Sequence, residues 1–212
     1  MIVQSETFQK TIKDKINFEG VGLHTGLYCK LILNPAPVDY GVKFLINNTE
    51  ISANIENVVN TIRGTNLLKN GNSVMTVEHL LSALYALEID NVKIEISEIE
   101  IPILDGTSQI FLKKIIDIGI QEQNKKRKEF IVNELISFKS SKGIQFYLLP
   151  SQESIFTYHL NYQNIDMLNQ QFSVILKDDN YQKEVSFCKT FCLLSELLKL
   201  YNADLIKGGS LK

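Results

Sequence analysis

Glu78 and His79 are the adjacent pair in this sequence whose side chains suit hydrolytic chemistry. They stand in Thr76-Val77-Glu78-His79-Leu80-Leu81-Ser82-Ala83-Leu84-Tyr85-Ala86-Leu87. At 100° per residue, Val77, Leu80, Leu81, Leu84 and Leu87 fall within an arc of roughly 120°, so the segment is expected to be a helix with one packed face. Glu78 and His79 lie off that stripe, in the first turn if Asn72, Ser73 or Thr76 serves as the cap. The positive end of a helix dipole disfavours protonated imidazole, and neutral imidazole is the form a metal accepts. An adjacent carboxylate can take a proton from a metal-bound water. A solvent-exposed Glu-His pair on an amphipathic helix accounts for the same pattern.

Other candidates are weaker taken singly. His24 sits in Gly20-Val21-Gly22-Leu23-His24-Thr25-Gly26, where glycines allow close backbone approach or left-handed dihedrals. Such a loop can cradle an anion; a tight turn with His24 pinning the backbone explains it as well. Asp105-Gly106 reads as a turn, with Asp105 also placed to orient a catalytic histidine. His159 lies in an aromatic, strand-like run and reads as structural.

The elements that must position these residues alternate in type. Tyr28 to Leu33 reads as a strand stopped by Asn34-Pro35-Ala36-Pro37, and Gly41 to Ile46 as a short strand ended by Asn47-Asn48. Asn91 to Ile96 has the period of a strand buried on one face. Phe111, Leu112, Ile115 and Ile116 recur at helical spacing before Gly119, a C-cap. Further on, Glu129 to Phe138, Ile144 to Leu149 and Ile155 to Tyr162 read as strands, and Leu193, Leu194, Leu197, Leu198 and Tyr201 as a helical stripe. The pattern predicts an α+β fold in two layers. Gln121 to Lys128 contains no apolar residue and is expected to be a solvated linker, with a phosphate-binding patch as the other reading. This places a first domain at 1–121, a linker at 122–128 and a second domain at 129–212.

Composition narrows the class. Of 212 residues, 44% are hydrophobic and 22% charged, as in ordinary globular chains. Lys plus Arg number 22 against 24 for Asp plus Glu, which argues against a dedicated nucleic-acid binder. Three cysteines, Cys29, Cys188 and Cys192, are too scattered for a disulfide framework and lack the paired spacing of a structural zinc site. No secretory signal is visible at the N-terminus, and no apolar run reaches the roughly 20 residues of a membrane span. A cytoplasmic protein is expected.

Read together, several stretches resemble the zinc-dependent UDP-3-O-acyl-N-acetylglucosamine deacetylases of lipid A biosynthesis. They are Gly20-Val-Gly-Leu-His-Thr-Gly26, Leu33-Asn-Pro-Ala-Pro37, Thr76-Val-Glu-His-Leu-Leu81, Ile89-Asp-Asn91, Glu100-Ile-Pro-Ile-Leu-Asp-Gly-Thr-Ser108, Cys188-Lys-Thr-Phe191 and Gly208-Gly-Ser210. They occur in family order across nearly the whole chain. The resemblance implies two domains, each a two-layer α/β sandwich, and hydrolytic removal of acetate from UDP-3-O-acyl-N-acetylglucosamine. It implies that His79 is a Zn²⁺ ligand and Glu78 the general base. Thr190 would stabilise the oxyanion, and Phe191 would pack against the sugar. Leu23, Thr61, Ile62, Leu197, Gly209 and Ser210 would contact substrate, with Leu193 to Ile206 forming the acyl-chain insert and Asp105 supporting the histidine.

The resemblance also implies two further zinc ligands, in a His-Lys-x-x-x-Asp-type segment beyond the glycine pair, and a general-acid histidine after it. None lies within 1–212, and 129–212 is too short to duplicate the first domain, so the second domain is expected to be incomplete and to expose apolar surface. A catalytic zinc needs three protein ligands, so the polypeptide alone is expected to lack deacetylase activity. The alternatives are a non-catalytic remnant that binds the UDP-sugar or acyl chain, and one half of a split enzyme completed by a separate C-terminal chain.

Overall fold

The computed structural model of the protein describes residues 1–141, 143–162, 168–177 and 179–209. In chain order, β1 (Ile2–Ile12), β2 (Ile16–Val21), β3 (Tyr28–Pro35), β4 (Val42–Ile46) and β5 (Thr49–Ser52) precede a 3-10 turn at Ile55–Asn57. Then come β6 (Val58–Asn60), β7 (Asn66–Lys69), β8 (Asn72–Val74), α1 (Glu78–Ala86), β9 (Val92–Ile96), α2 (Gln109–Ile118) and β10 (Ile120–Phe130). β11 (Ile136–Lys139), β12 (Gln145–Leu148), β13 (Ile155–Leu160), β14 (Gln170–Ile175), α3 (Asn180–Glu184) and α4 (Leu194–Asn202) follow. This is the α+β class that the patterning predicts. Among the described residues, no helix is long and apolar enough to cross a membrane.

The chain forms two compact units. One comprises Phe8–Lys125 and Ser186–Lys212. Its main sheet is five-stranded in the order β2-β3-β9-β4-β5, antiparallel except for the β4–β9 pair. β9 shows why: Val92, Ile94 and Ile96 are buried while Lys93 and Glu95 are not, so one face is covered and the other reaches water. The covering layer is helical. Phe18, Leu31, Leu33, Phe44 and Ile94 are buried, as are Leu80 and Leu84 of α1 and Phe111, Leu112 and Ile115 of α2. The Phe18 and Phe111 rings sit 4.9 Å apart between centroids, tilted at 56°. Asn47 and Asn48 both adopt left-handed φ, which makes the two-residue hairpin between β4 and β5. β6, β7 and β8 form a separate three-stranded antiparallel sheet.

The other unit comprises Met1–Thr7 and Lys126–Val185. It contains two antiparallel hairpins, β11–β12 and β13–β14. Phe138, Phe146, Phe156, Tyr158 and Phe172 are exposed, and Val174 is its one buried hydrophobic among the described residues. The expected exposed apolar surface is present on these hairpins.

Two local expectations differ from what forms. β3 runs through Asn34 to Pro35, which pairs with Val92, because a proline at a strand end gives up no interior ladder bond. Residues 122–128, expected as a solvated linker, lie inside β10, which pairs with β1, although the division between the two units falls within them, after Lys125. Polar contacts hold that strand in place of apolar ones. Gln123 donates to the Ala36 carbonyl at 2.8 Å and accepts from Asn91 at 2.7 Å. Lys126 pairs with Glu6 at 2.9 Å, and Lys125 pairs with Asp39.

Candidate functional site

The start of α1 is built without a side-chain cap. Val77 occupies the cap position, and Asn72 and Ser73 belong to β8. Thr76, left-handed at φ 59°, turns its hydroxyl to Glu100 at 2.7 Å. The expected cap is therefore not made, because each candidate is committed elsewhere. The first turn is instead laced to the segment before β7. The Thr65 N–H donates to Glu78 Oε2 at 2.8 Å, Val77 N–H to the Thr65 carbonyl at 3.2 Å, and Thr76 N–H to Asn66 Oδ1 at 3.2 Å. Glu78 is thus a carboxylate in the first turn of a helix, held by a backbone amide.

His79 follows it, half-buried. Burial holds its pKa below the ordinary 6.5, partly opposed by the negative charges of Glu78 and Asp105. The imidazole is therefore neutral at pH 7, with its lone pair available to a metal or a proton. Asp105 is exposed, and its Oδ1 accepts the Thr107 N–H at 3.1 Å and hydroxyl at 2.7 Å. Gly106, at φ 82°, presents its carbonyl to the Thr190 N–H at 2.9 Å. Asp105, acting on His79 by charge, is thereby joined through its neighbour to Thr190, whose side chain faces solvent with that of Phe191.

The glycine loop and the segment before residue 210 also meet. Gly208 N–H donates to the Leu23 carbonyl at 3.0 Å and Lys207 N–H to the His24 carbonyl at 3.3 Å. Gly209 N–H closes a turn on the Ile206 carbonyl at 3.0 Å. Ser210 lies outside the described residues. Thr61 and Ile62 are exposed beside Arg63, whose guanidinium pairs with Glu196 of α4. Glu196 also accepts the Leu193 N–H, closing the first turn of α4. That helix buries Leu200 and half-buries Leu197, while Leu194 is 83%, Leu198 72% and Tyr201 67% exposed.

The residue that sequence reasoning passed over is Glu100. It is 1% exposed, yet its carboxylate accepts four donors: the N–H of His24, the N–H and hydroxyl of Thr25, and the hydroxyl of Thr76. Burial works against the charge, but these bonds outweigh it and hold the pKa below the usual value. The available signal was an isolated acid in the apolar run Ile99-Glu100-Ile101-Pro102-Ile103. Among the described residues, no three His, Cys, Asp or Glu side chains form a metal-binding group.

Residues 9–212 match the LpxC family, UDP-3-O-acyl N-acetylglycosamine deacetylase, and the chain belongs to that family. It is 39% identical over 204 residues to the UDP-3-O-acyl-N-acetylglucosamine deacetylase of Aquifex aeolicus, covering 96% of this chain and 70% of the relative. The deacetylase of Chlamydia muridarum is 37% identical over 207 residues, covering 96% of this chain and 72% of its own. The bifunctional enzyme LpxC/FabZ of Chlorobaculum tepidum is 37% identical over 208 residues, covering 96% of this chain. This chain spans 44% of the length of that bifunctional relative.

Proposed function

We propose that this chain carries part of a zinc-dependent deacetylase site acting on UDP-3-O-acyl-N-acetylglucosamine in lipid A synthesis. The observation that carries the reading is the start of α1. A carboxylate held by the Thr65 amide stands next to a neutral, half-buried imidazole, with Asp105 close enough to act on that imidazole by charge.

His79 fits one donor position of a zinc site, because its depressed pKa keeps the ring in the ligating form. A catalytic zinc takes three protein ligands, and the reading assigns the other two to a His-Lys-x-x-x-Asp-type segment outside residues 1–212. When bound, the metal supplies Lewis acidity and a water of lowered pKa.

The chain's own residues then have defined tasks. Glu78 accepts a proton from the attacking water and is kept in one orientation by the Thr65 N–H. Asp105, which acts on the His79 imidazole by charge, would support that ring in holding the metal. Thr190, tethered at its backbone to Gly106, offers its hydroxyl to the oxyanion of the tetrahedral intermediate. Leu23, Thr61, Ile62, Phe191, Leu197, Gly209 and Ser210 are the proposed substrate contacts, with the open face of α4 taking the acyl chain.

The test is acetate release from UDP-3-O-acyl-N-acetylglucosamine with zinc present. It is measured on the purified chain and on the chain with a second polypeptide supplying the His-Lys-x-x-x-Asp segment. Release is expected in the second case and is expected to fall about 10²-fold or more in Glu78→Gln. A rate indifferent to Glu78→Gln overturns the assignment. Substrate binding without turnover in either case identifies the binding-remnant alternative.

A further inference from the structure

Glu78 is held by the Thr65 amide, and Thr65 lies in a short non-regular stretch, so something must fix that stretch. Arg63 within it has a left-handed φ of 62°, a conformation a non-glycine residue keeps only when its surroundings impose it. The surroundings impose it from one side through His24. The ring is 6% exposed, and its Nε2–H donates to the Arg63 carbonyl at 2.9 Å. Because a carbonyl only accepts, Nε2 carries the proton. The other ring nitrogen, Nδ1, is buried with no hydrogen-bond partner among the described residues. The ring's hydrogen bonding is thus spent on one backbone carbonyl.

His24 is itself fixed. Its backbone N–H donates to both carboxylate oxygens of Glu100, at 3.0 and 3.1 Å, and Glu100 is anchored in turn by Thr25 and Thr76. Space is limited throughout. A Cβ on Gly22 would lie 2.4 Å from Glu100 Oε2, and one on Gly64 would touch both Glu78 Oε1 at 3.4 Å and His24 Nε2 at 3.8 Å.

We infer that His24 is a positioning residue for Glu78. It is held by the buried Glu100 carboxylate and acts through the Arg63 carbonyl and the Thr65 amide. The chain of contacts runs Glu100, His24, Arg63, Thr65, Glu78, and it sets the direction in which the Glu78 carboxylate faces. This rests on the proposed role of Glu78, but the contact chain itself is measurable without turnover.

The experiment exploits the two ring nitrogens. Glutamine places an amide nitrogen near Nε2, whereas asparagine places one near Nδ1. Amide hydrogen exchange by NMR is followed at Thr65 in the wild-type chain, His24→Gln and His24→Asn. Exchange at Thr65 is expected to be at least about tenfold faster in His24→Asn, the equivalent of one lost hydrogen bond, and to recover in His24→Gln. Equal exchange in both variants overturns the inference.

Should His24→Asn fail to fold, ¹⁵N-histidine-labelled wild type decides instead. A slowly exchanging Nε2–H with a cross-peak to Arg63 or Gly64 supports the contact, and its absence overturns it. In an active assembly, kcat should fall about 10²-fold in His24→Asn with KM within about twofold, and recover in His24→Gln, as for a misplaced catalytic group. Absence of turnover in wild type with the exchange pattern intact would sink the deacetylase reading and leave the positioning chain standing.

Discussion

Gly208 approaches Gly22 so closely that a Cβ built on it would lie 2.2 Å from the Gly22 carbonyl oxygen. Two hydrogen bonds between 207–208 and 23–24 follow from that approach, and no other residue type fits the position without moving backbone. Gly22 is constrained on its other side by Glu100. The glycines in this loop therefore serve close contact between segments distant in sequence.

Gly208→Ala is expected to detach the 207–209 segment. Overpacking of this kind costs roughly 1–3 kcal/mol, and trypsin should cut more rapidly at Lys207. Urea unfolding and timed proteolysis check both. Wild-type rates of cleavage would show that the approach is not needed.

Glu100 makes stability depend on pH in a defined sense. Its folded pKa lies below the ordinary 4.5, so the folded state favours the ionised form. The stabilisation is complete above about pH 4.5, where the unfolded group is ionised as well, and is lost as pH falls through the lower folded value. Glu100→Gln replaces an acceptor oxygen by a donor against donors and should cost about 2 kcal/mol or more at pH 7. The gap between wild type and variant, read from urea midpoints, should narrow by pH 3. A gap constant with pH would show that the carboxylate's charge is not what the loop recognises.

The two sides of α4 should respond differently to substitution. Leu200 is buried, so Leu200→Ala is expected to cost about 2–4 kcal/mol. Leu198→Ser on the exposed side should fall within about 0.5 kcal/mol of wild type while weakening binding of a long-chain acyl substrate. Thermal unfolding and calorimetric titration separate the two effects. Unchanged affinity in Leu198→Ser would remove the acyl-chain role from this face.

What the sequence disclosed and what it hid divide along physical lines. α1, α4 and β9 were legible because each carries a periodic apolar stripe, and Glu78 and His79 could be placed in the first turn on that basis. β10 was hidden because it is held by Gln123, Lys125 and Lys126 reaching polar partners in other segments, and such a strand has the composition of a linker. The role of Glu100 was hidden for the same reason. Its donors lie at 24, 25 and 76, and no local pattern records a bond across such separations.

The unit that bears Glu78 and His79 is discontinuous, made of Phe8–Lys125 and Ser186–Lys212 with the hairpins of the other unit intervening in sequence. During vectorial synthesis, the ribosome must deliver every intervening residue before Lys207 and Gly208 can reach the glycine loop. The contacts between 207–208 and 23–24 are therefore among the last that synthesis permits, and their closure is a long-range event in folding. Pausing within the intervening stretch would delay that closure.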